Sequence, residues 1–215
     1  MLEVSDTGAP WVALLRHAYS LIDAAVLVGD IPWSLGGGTV LMFRLQHRSS
    51  KDVDIFLQDR QHLGLFSPRI QDETPSECVD YVESSSAVKL YYGAGEVDFV
   101  ASATLTNNPF ERARVLGREI WLETPAEIVA KKLWHRGASA TARDLFDLAA
   151  VADAGLDVGQ LAPALRKSGG QFVAQLHQRR DILEPQFEAI DALQYHETYD
   201  HCLRIATTLV SSAQR

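Results

Sequence analysis

The chain has 215 residues, of which 47% are hydrophobic and 22% are charged, as is typical of a folded globular protein. Its net charge of −8 excludes a large, uniformly basic surface for nucleic acid, although a local basic patch remains compatible with it. No run approaches the roughly 20 apolar residues that span a bilayer, and no signal peptide is recognisable, so we expect a cytoplasmic protein without a membrane partner.

The first part of the chain, residues 1–122, is predicted to mix helices and strands. Apolar residues at helical spacing predict two helices, over residues 9–28 and 39–47. Alternation of apolar and polar residues predicts strands over residues 32–35, 51–57, 87–92 and 96–101. The last two strands are expected to form a hairpin through Gly93, Ala94 and Gly95.

The pattern changes after Trp121, and residues 123–215 are predicted to form a helical domain. Thr124, Pro125 and Glu127 predict a capping box that starts a helix running to about residue 135. A second helix is expected over residues 141–154, followed by two or three more with a break at the adjacent glycines 169 and 170. The predicted fold class is α+β: a small mixed sheet with helices, followed by an α-helical C-terminal domain.

An acidic pair, Asp52 and Asp54, marks the strand at residues 51–57. Side chains alternate faces along a strand, so both carboxylates point the same way while Val53 and Ile55 face a core. Two like charges about 7 Å apart repel each other, and a hard divalent cation such as Mg²⁺ would compensate them.

Asp98 is a candidate third carboxylate, because it lies in the middle of the strand at residues 96–101. If the two strands are neighbours, Asp52, Asp54 and Asp98 form a cluster that could hold two Mg²⁺ ions for phosphoryl or nucleotidyl transfer. The alternative is that each aspartate is a solvated residue on the polar face of its strand.

A glycine-rich turn, Gly36-Gly37-Gly38-Thr39, precedes the acidic pair. Its backbone N–H groups and the following helix N-terminus could bind an anion such as phosphate. The alternative is a tight turn that needs a positive φ. Together with the acidic pair, the turn indicates nucleotide chemistry.

The segment GGTVLMFRLQHRSSKDVDIF resembles the first motif of the nucleotidyltransferase superfamily, and more narrowly that of the AbiEii/AbiGii-type nucleotidyltransferase toxins. The matching residues are Gly37, Gly38, Arg44, His47, Arg48, Ser50, Asp52 and Asp54. A later segment, EIVAKKLWHRGASATARDLFDL, is similar to the family's second motif through Lys132, Arg136, Arg143, Asp144 and Asp147. The two motifs occur in the family's order, so their combination is more specific than either alone.

The resemblance implies a role for each matching residue. Asp52 and Asp54 would bind Mg²⁺, with Asp98 as a third ligand. The residues expected near the triphosphate of the NTP are Gly37, Gly38, Thr39, Ser50 and Arg48. Lys132 would contact phosphate, and Asp144 would be a catalytic or orienting carboxylate. From the residues alone, Asp144 and Asp147 could equally belong to a solvated, salt-bridged helix face, and we keep that interpretation for Asp147.

The resemblance also implies a Mg²⁺-dependent nucleotidyltransferase that moves NMP from an NTP to an acceptor hydroxyl, as in toxins that act on tRNA, with a cognate antitoxin as partner. Scattered basic residues could form a rim for RNA, namely Lys131, Lys132, Arg136, Arg143, Arg44, Arg48 and Lys51. Two alternatives remain: a binding or regulatory module that has lost catalysis, and an enzyme whose acceptor is a protein or a small molecule.

Overall fold

The computed structural model describes residues 1–27, 29–70, 77–156 and 158–214. These residues form two compact units. Unit 1 comprises Met1–Val40, Ser50–Thr104 and Phe110–Glu123, and unit 2 comprises Leu41–Ser49, Leu105–Pro109 and Thr124–Arg215. The division into domains at residue 122 stays a prediction. Val28, the last residue of the first predicted helix, lies outside the described residues.

Unit 1 is built on an eight-stranded mixed sheet with strand order β1-β7-β8-β2-β3-β6-β5-β4. Its strands are β1 (Leu2–Val4), β2 (Trp33–Gly36), β3 (Val53–Leu57), β4 (Cys78–Glu83), β5 (Ala87–Tyr92), β6 (Gly95–Ala101), β7 (Phe110–Val115) and β8 (Arg118–Glu123). The pairs β1·β7, β2·β8 and β3·β6 are parallel and the others are antiparallel. The four predicted strands are confirmed as β2, β3, β5 and β6, and the sheet is larger than expected.

Helix α1 (Pro10–Val26) packs its apolar face against β3 and β6 of this sheet. A 3₁₀ segment, Arg60–Phe66, also packs on β6, where Phe66 stacks on Phe99 at a ring-centroid distance of 4.0 Å. This apolar layer fixes the face of β3 and β6 that carries Val53, Ile55 and Phe99, so the opposite face is left to the acidic residues.

Unit 2 contains α3 (Pro125–Arg136), α4 (Ala142–Asp153), α5 (Ala162–Ala164), α6 (Gly170–Gln178), α7 (Arg180–Glu188) and α8 (Tyr199–Ala213). The two helices predicted after Thr124 and Thr141 are confirmed as α3 and α4. Helix α2 (Gly37–Leu45) starts in unit 1, and its residues from Leu41 onward belong to unit 2. Across the described ranges, none of the helices is both long enough and apolar enough to cross a bilayer.

The predicted break at Gly169 and Gly170 is wrong. Both residues have right-handed helical φ angles, −60° and −61°, and the chain passes through a π turn, Leu165–Gly169, directly into α6. A Cβ at Gly169 would lie 2.7 Å from the Val210 side chain, so the glycine serves close packing against α8.

Only half of the predicted capping box at Thr124 forms. The Thr124 hydroxyl accepts the Glu127 N–H, but the Glu127 carboxylate accepts the N–H groups of Leu105 and Thr106 and the Thr106 hydroxyl instead. A complete box is present at α4, between Thr141 and Asp144. Sequence alone could not separate the two cases, because a distant backbone segment competes for Glu127.

Candidate active site

Four strands of unit 1, β5, β6, β3 and β8, place polar residues in one row across the sheet, and β2 contributes a glycine to it. Asp98 on β6 is the register partner of both Asp54 on β3 and Lys89 on β5. Gly36 on β2 pairs with Asp54, and a Cβ at Gly36 would lie 2.5 Å from Oε2 of the fully buried Glu123 on β8. We call Asp98, Asp54 and Glu123 the acidic row. The condition set for the carboxylate cluster, that the strands of Asp54 and Asp98 are neighbours, is met.

The Asp54 carboxylate lies against Gly37 at the N-terminus of α2. A Cβ at Gly37 would overlap this carboxylate, and the φ of Gly37 is +71°, so the turn needs glycine for two reasons. The positive end of the helix dipole favours a carboxylate at this place. The predicted alternation is also confirmed, because Val53 and Ile55 are buried while Asp52 and Asp54 are only partly so.

Asp52 immediately precedes β3 rather than lying within it. Its Oδ1 accepts the backbone N–H of Glu96 at 3.1 Å. The segment before Asp52 is tied to α2 by Thr39, whose buried hydroxyl hydrogen-bonds to Ser50 Oγ at 3.0 Å and donates to the Asp52 carbonyl oxygen at 2.5 Å. Thr39 therefore fixes the position of Asp52 relative to the glycine turn.

The triphosphate contacts predicted for Gly37, Gly38, Thr39 and Ser50 stay predictions. Gly38 lies in the first turn of α2 and is partly buried. All four residues lie at the beginning of α2 or on the segment that Thr39 fastens to it, so they share the neighbourhood of the Asp54 carboxylate.

Asp98 carries an incompletely balanced charge. Its Oδ2 is 3.1 Å from Lys89 Nζ, but its Oδ1 is buried without a hydrogen-bond partner among the described residues. Burial and then the charge of Asp54 raise the pKa of Asp98 to about 6, although Lys89 opposes this shift. Lys89 is shared, since its Nζ also lies 2.5 Å from Glu96 Oε2.

The pKa of Lys89 reflects the same excess of negative charge over positive charge. Burial lowers this pKa, but the hydrogen bond to Glu96 and the charge of Asp98 raise it more, so that it lies above the ordinary value for lysine. One ammonium therefore serves two carboxylates at the end of the acidic row.

The cluster suits a divalent cation in part. Across the described ranges, no three histidine, cysteine, aspartate or glutamate side chains are grouped so that they could hold a metal ion. Mg²⁺, however, commonly uses only one or two carboxylates together with substrate phosphates. The partnerless Asp98 Oδ1 and the raised pKa of its carboxyl group show that positive charge at this place would be stabilising.

The second predicted motif forms a separate ion-pair network within unit 2, centred on Asp147. Asp147 is 0% exposed and accepts from Arg48 Nε at 2.6 Å, Arg48 Nη2 at 2.9 Å and Lys132 Nζ at 2.8 Å. His47 Nε2 lies 2.8 Å from the same carboxylate. Burial raises the pKa of Asp147, but Lys132, Arg48 and His47 outweigh it and hold this pKa well below its usual range. The ion pairs expected for Asp147 are therefore present, but the solvated helix face predicted for it is wrong.

Asp144 and Lys132 belong to the same network. Asp144 Oδ1 is 3.1 Å from Lys132 Nζ, and its Oδ2 accepts the Thr141 N–H at 3.1 Å and the Thr141 hydroxyl at 2.7 Å. Burial lowers the pKa of Lys132, but Asp147 and Asp144 raise it further, so Lys132 is a cation. The catalytic roles predicted for Lys132 and Asp144 stay predictions.

Arg48 was expected near the triphosphate, and the structure gives it another partner. Its side chain is only 4% exposed and its guanidinium forms a bidentate pair with Asp147. The nucleotide contact predicted for Arg48 stays a prediction. The ion pair with Asp147 accounts for the burial of the Arg48 guanidinium without a bound nucleotide.

Two residues of these clusters, Lys89 and Glu123, were missed from sequence, and Asp147 was selected but expected on a solvated helix face. Lys89 could have been found from a two-residue turn at Gly93 and Ala94, because that turn sets the register that pairs Lys89 with Asp98. Glu123 could have been found from the alternation in REIWLE, which predicts β8. The burial of Asp147 carried no local signal, because its partners His47 and Arg48 are about a hundred positions away in the chain.

Comparison with known proteins identifies the family of the chain. The family model described as "Nucleotidyl transferase AbiEii toxin, Type IV TA system" matches residues 24–212. A search of curated proteins found no match.

Two solved structures share the fold. MenT4, a nucleotidyltransferase toxin from Mycobacterium tuberculosis H37Rv, is 17% identical with a TM-score of 0.56, over 98% of this chain and 88% of that one. The antibiotic-resistance factor ANT(2″)-Ia is 13% identical with a TM-score of 0.51, over 80% of this chain and 99% of that one. The chain therefore belongs to the AbiEii family of nucleotidyltransferase toxins of type IV toxin–antitoxin systems, and it is an NTP-dependent nucleotidyltransferase with a nucleotidyltransferase fold.

Proposed function

We propose that this protein is a Mg²⁺-dependent toxin that transfers NMP from an NTP to a hydroxyl group of tRNA. The observation that carries the proposal is the pairing of Asp54 with Asp98 on neighbouring parallel strands, beside the glycine N-terminus of α2. Like charges held together in a partly buried place stabilise a bound cation, and a glycine-lined helix N-terminus suits a phosphate.

In this proposal Asp52 and Asp54 hold the metal together with phosphate oxygens of the NTP. Asp98 would become a third ligand only if its partnerless Oδ1 moved toward the metal, since no three carboxylates in the described residues are already grouped around one position. The metal would neutralise charge on the triphosphate and help to orient the attacking hydroxyl. Gly37, Gly38 and the backbone at the start of α2 would donate N–H groups to phosphate oxygens. Lys89 would keep Asp98 in place through its contact with Oδ2.

Lys132 is proposed to contact the phosphates as a fixed cation. Asp144 and Asp147 hold its ammonium at 3.1 and 2.8 Å, and its side chain remains 16% exposed. An ammonium that is already oriented needs little rearrangement when negative charge develops on a leaving pyrophosphate. Asp144 would then be an orienting carboxylate that acts through Lys132.

The tRNA acceptor is proposed from the family resemblance of the two sequence motifs, and the antitoxin partner from the family model, which describes a type IV toxin–antitoxin system. ANT(2″)-Ia, an antibiotic-resistance factor with the same fold, is the reason to test a small-molecule acceptor as well. Loss of catalysis is disfavoured by the intact acidic pair, since a decayed site is not expected to keep Asp52 and Asp54.

The test is incubation of the protein with α-labelled NTPs, Mg²⁺ and separate acceptors: tRNA, total RNA, lysate protein and an aminoglycoside. We expect label in tRNA, loss of this label in Asp52→Asn, and unchanged labelling in the control Asp30→Asn, which alters an exposed aspartate of the same unit. Label in protein or aminoglycoside alone would contradict the tRNA acceptor. Metal-dependent NTP binding without labelling of any acceptor would favour the non-catalytic module.

A further inference from the structure

A cluster of cations surrounds an aromatic ring on unit 2, where the end of α3 meets the π turn Leu165–Gly169. Lys167 Nζ lies 3.2 Å from the centre of the Trp134 ring. We call this cluster the basic patch; its residues are Trp134, His135, Arg136, Arg166 and Lys167. All of them except the partly buried Trp134 are exposed.

The cations of the patch influence one another. Burial, and then the charges of Lys131, Lys167 and Arg136, lower the pKa of His135. Burial alone would lower this pKa, and the three cations add to the shift because they lie close to the imidazole. The patch is therefore electropositive although the whole chain carries a net charge of −8.

Few carboxylates reach the patch. Arg136 has one long contact, with Asp144 Oδ1 at 3.6 Å, and its side chain is 56% exposed. Neither Arg166 nor Lys167 forms an ion pair with any residue in the described part of the chain. These two cations therefore remain available to an external anion.

The backbone is arranged to bring Arg166 and Lys167 to this place. A Cβ at Gly137 would lie 2.6 Å from Ser168 Cβ, so glycine at the end of α3 permits the π turn to approach closely. On the other side, Gly169 permits contact with Val210 of α8. π turns are rare and often occur at functional sites.

The contacts of the structure change which basic residues could meet RNA. Arg48 and Lys132, expected in a basic rim, are held by Asp147, and Lys131 lies 3.6 Å from Glu127. Arg136 keeps most of its exposure. The patch adds Arg166 and Lys167, which sequence reasoning did not select.

We infer that the basic patch of unit 2 binds the phosphate backbone of the RNA acceptor. Arginine guanidinium groups match phosphate oxygens in a bidentate manner, and an aromatic ring among cations is typical of surfaces that bind single-stranded nucleic acid. An acidic protein segment would use the cations but has no comparable use for Trp134. The inference rests on the proposed function in one respect, namely that the acceptor is RNA.

The test compares tRNA binding by the wild-type protein and by the double variant Arg166→Gln/Lys167→Gln, using fluorescence anisotropy of labelled tRNA over a series of KCl concentrations. The plot of the logarithm of the tRNA association constant against the logarithm of salt concentration has a negative slope. We expect the magnitude of this slope to be smaller by about 2 in the double variant, since each phosphate contact contributes about 1. The matched control Arg60→Gln/Arg204→Gln removes the same charge from exposed arginines elsewhere and should keep the wild-type slope.

Two further measurements separate this inference from the proposed function. Calorimetric titration with Mg²⁺ and a non-hydrolysable NTP should give the wild-type affinity in the patch variant, and its melting temperature should be unchanged. An unchanged salt slope, or polyglutamate that displaces tRNA at equal charge concentration, would overturn the inference while leaving NTP-dependent transfer intact. If the protein binds tRNA through the basic patch but transfers no NMP, the inference about the patch is supported and the proposed function is overturned.

Discussion

The acidic row of unit 1 and the Asp147 network of unit 2 use the same kinds of side chain but balance charge in opposite ways. In the row, Asp98 shares one lysine with Glu96 and its pKa is raised to about 6. In the network, three basic side chains meet Asp147 and its pKa is held well below the usual range. The negative charge of Asp98 is therefore only partly compensated, whereas that of Asp147 is fully compensated.

This difference separates two functions of buried charge. A carboxylate cluster with too little positive charge is destabilising in the free protein and stabilises a cation when one binds. A carboxylate with several fixed partners holds segments together, and removing it leaves its partners uncompensated. We therefore expect substitutions in the row to affect activity and substitutions in the network to affect stability.

The largest expected effect is on catalysis. Asp54→Asn keeps the shape of the side chain but removes its charge, and it should lower NMP transfer at least about 10²-fold, as expected when preorganised electrostatic stabilisation is lost. The rate of label incorporation measures this, with Asp30→Asn as the matched control. Equal rates in the two variants would show that the acidic row takes no part in NMP transfer.

The next effect is on folding. Asp147→Ala leaves Arg48 and His47 buried without their acid and removes one of the two carboxylates of Lys132, so it should reduce the free energy of unfolding by about 3–5 kcal/mol. Urea denaturation measures this change. The same substitution at Asp200, in an exposed pair with Arg180, should leave the unfolding midpoint almost unchanged.

The pH dependence follows from the lowered pKa of Asp147. A carboxyl group whose pKa is lower in the folded state contributes fully above its unfolded value of 3.8, and this contribution is lost as the pH falls through the folded value. The stability difference between wild type and Asp147→Ala should therefore be constant from neutral pH to about pH 5 and shrink in stronger acid. A difference that grows in acid would contradict the network.

Asp98→Asn should have a smaller effect of opposite sign. Because its folded pKa is about 6, the ionised form destabilises the folded state, and wild-type stability should rise as the pH falls from 7 towards 4. At pH 7 the variant should be more stable than wild type by about 1–2 kcal/mol, a range that allows for solvent screening. Thermal unfolding at several pH values tests this, and a variant that is less stable at pH 7 would refute it.

The smallest expected effect concerns the cap that holds Asp144. Thr141→Ala removes the hydroxyl that bonds Asp144 Oδ2 and should cost about 1 kcal/mol of stability. Thr208→Ala, on the exposed surface of α8, serves as the control and should change stability by less than about 0.5 kcal/mol. Equal losses of stability in both variants would show that the Thr141 cap stabilises the protein no more than an exposed surface threonine does.

Local patterns in the sequence were sufficient for the part of the site that depends on neighbours in the chain. Alternation placed Asp52 and Asp54 on the polar face of β3, and the glycine turn before α2 required the positive φ seen at Gly37. The parallel pairing of β3 with β6 was expected only conditionally, because no local rule specifies which strands meet.

Predictions from the sequence were wrong where a partner that is distant in the chain decides the role of a residue. Glu127 has the spacing of a capping box but turns to Leu105 and Thr106. Asp147 has the spacing of a surface residue but is buried by Arg48 and His47. Both outcomes depend on tertiary contacts that periodicity cannot report, since it records only which face of a helix is apolar.

The central claim is that the neighbouring carboxylates of Asp98 and Asp54 are compensated by a metal ion that binds together with the nucleotide. Calorimetric titration with a non-hydrolysable NTP, with and without Mg²⁺, tests it most directly in the wild-type protein and in Asp54→Asn. We predict that the wild-type protein binds the NTP tightly only with Mg²⁺ and that Asp54→Asn loses this dependence. Equal binding with and without Mg²⁺ in the wild-type protein, or an unchanged Mg²⁺ dependence in Asp54→Asn, would contradict the claim.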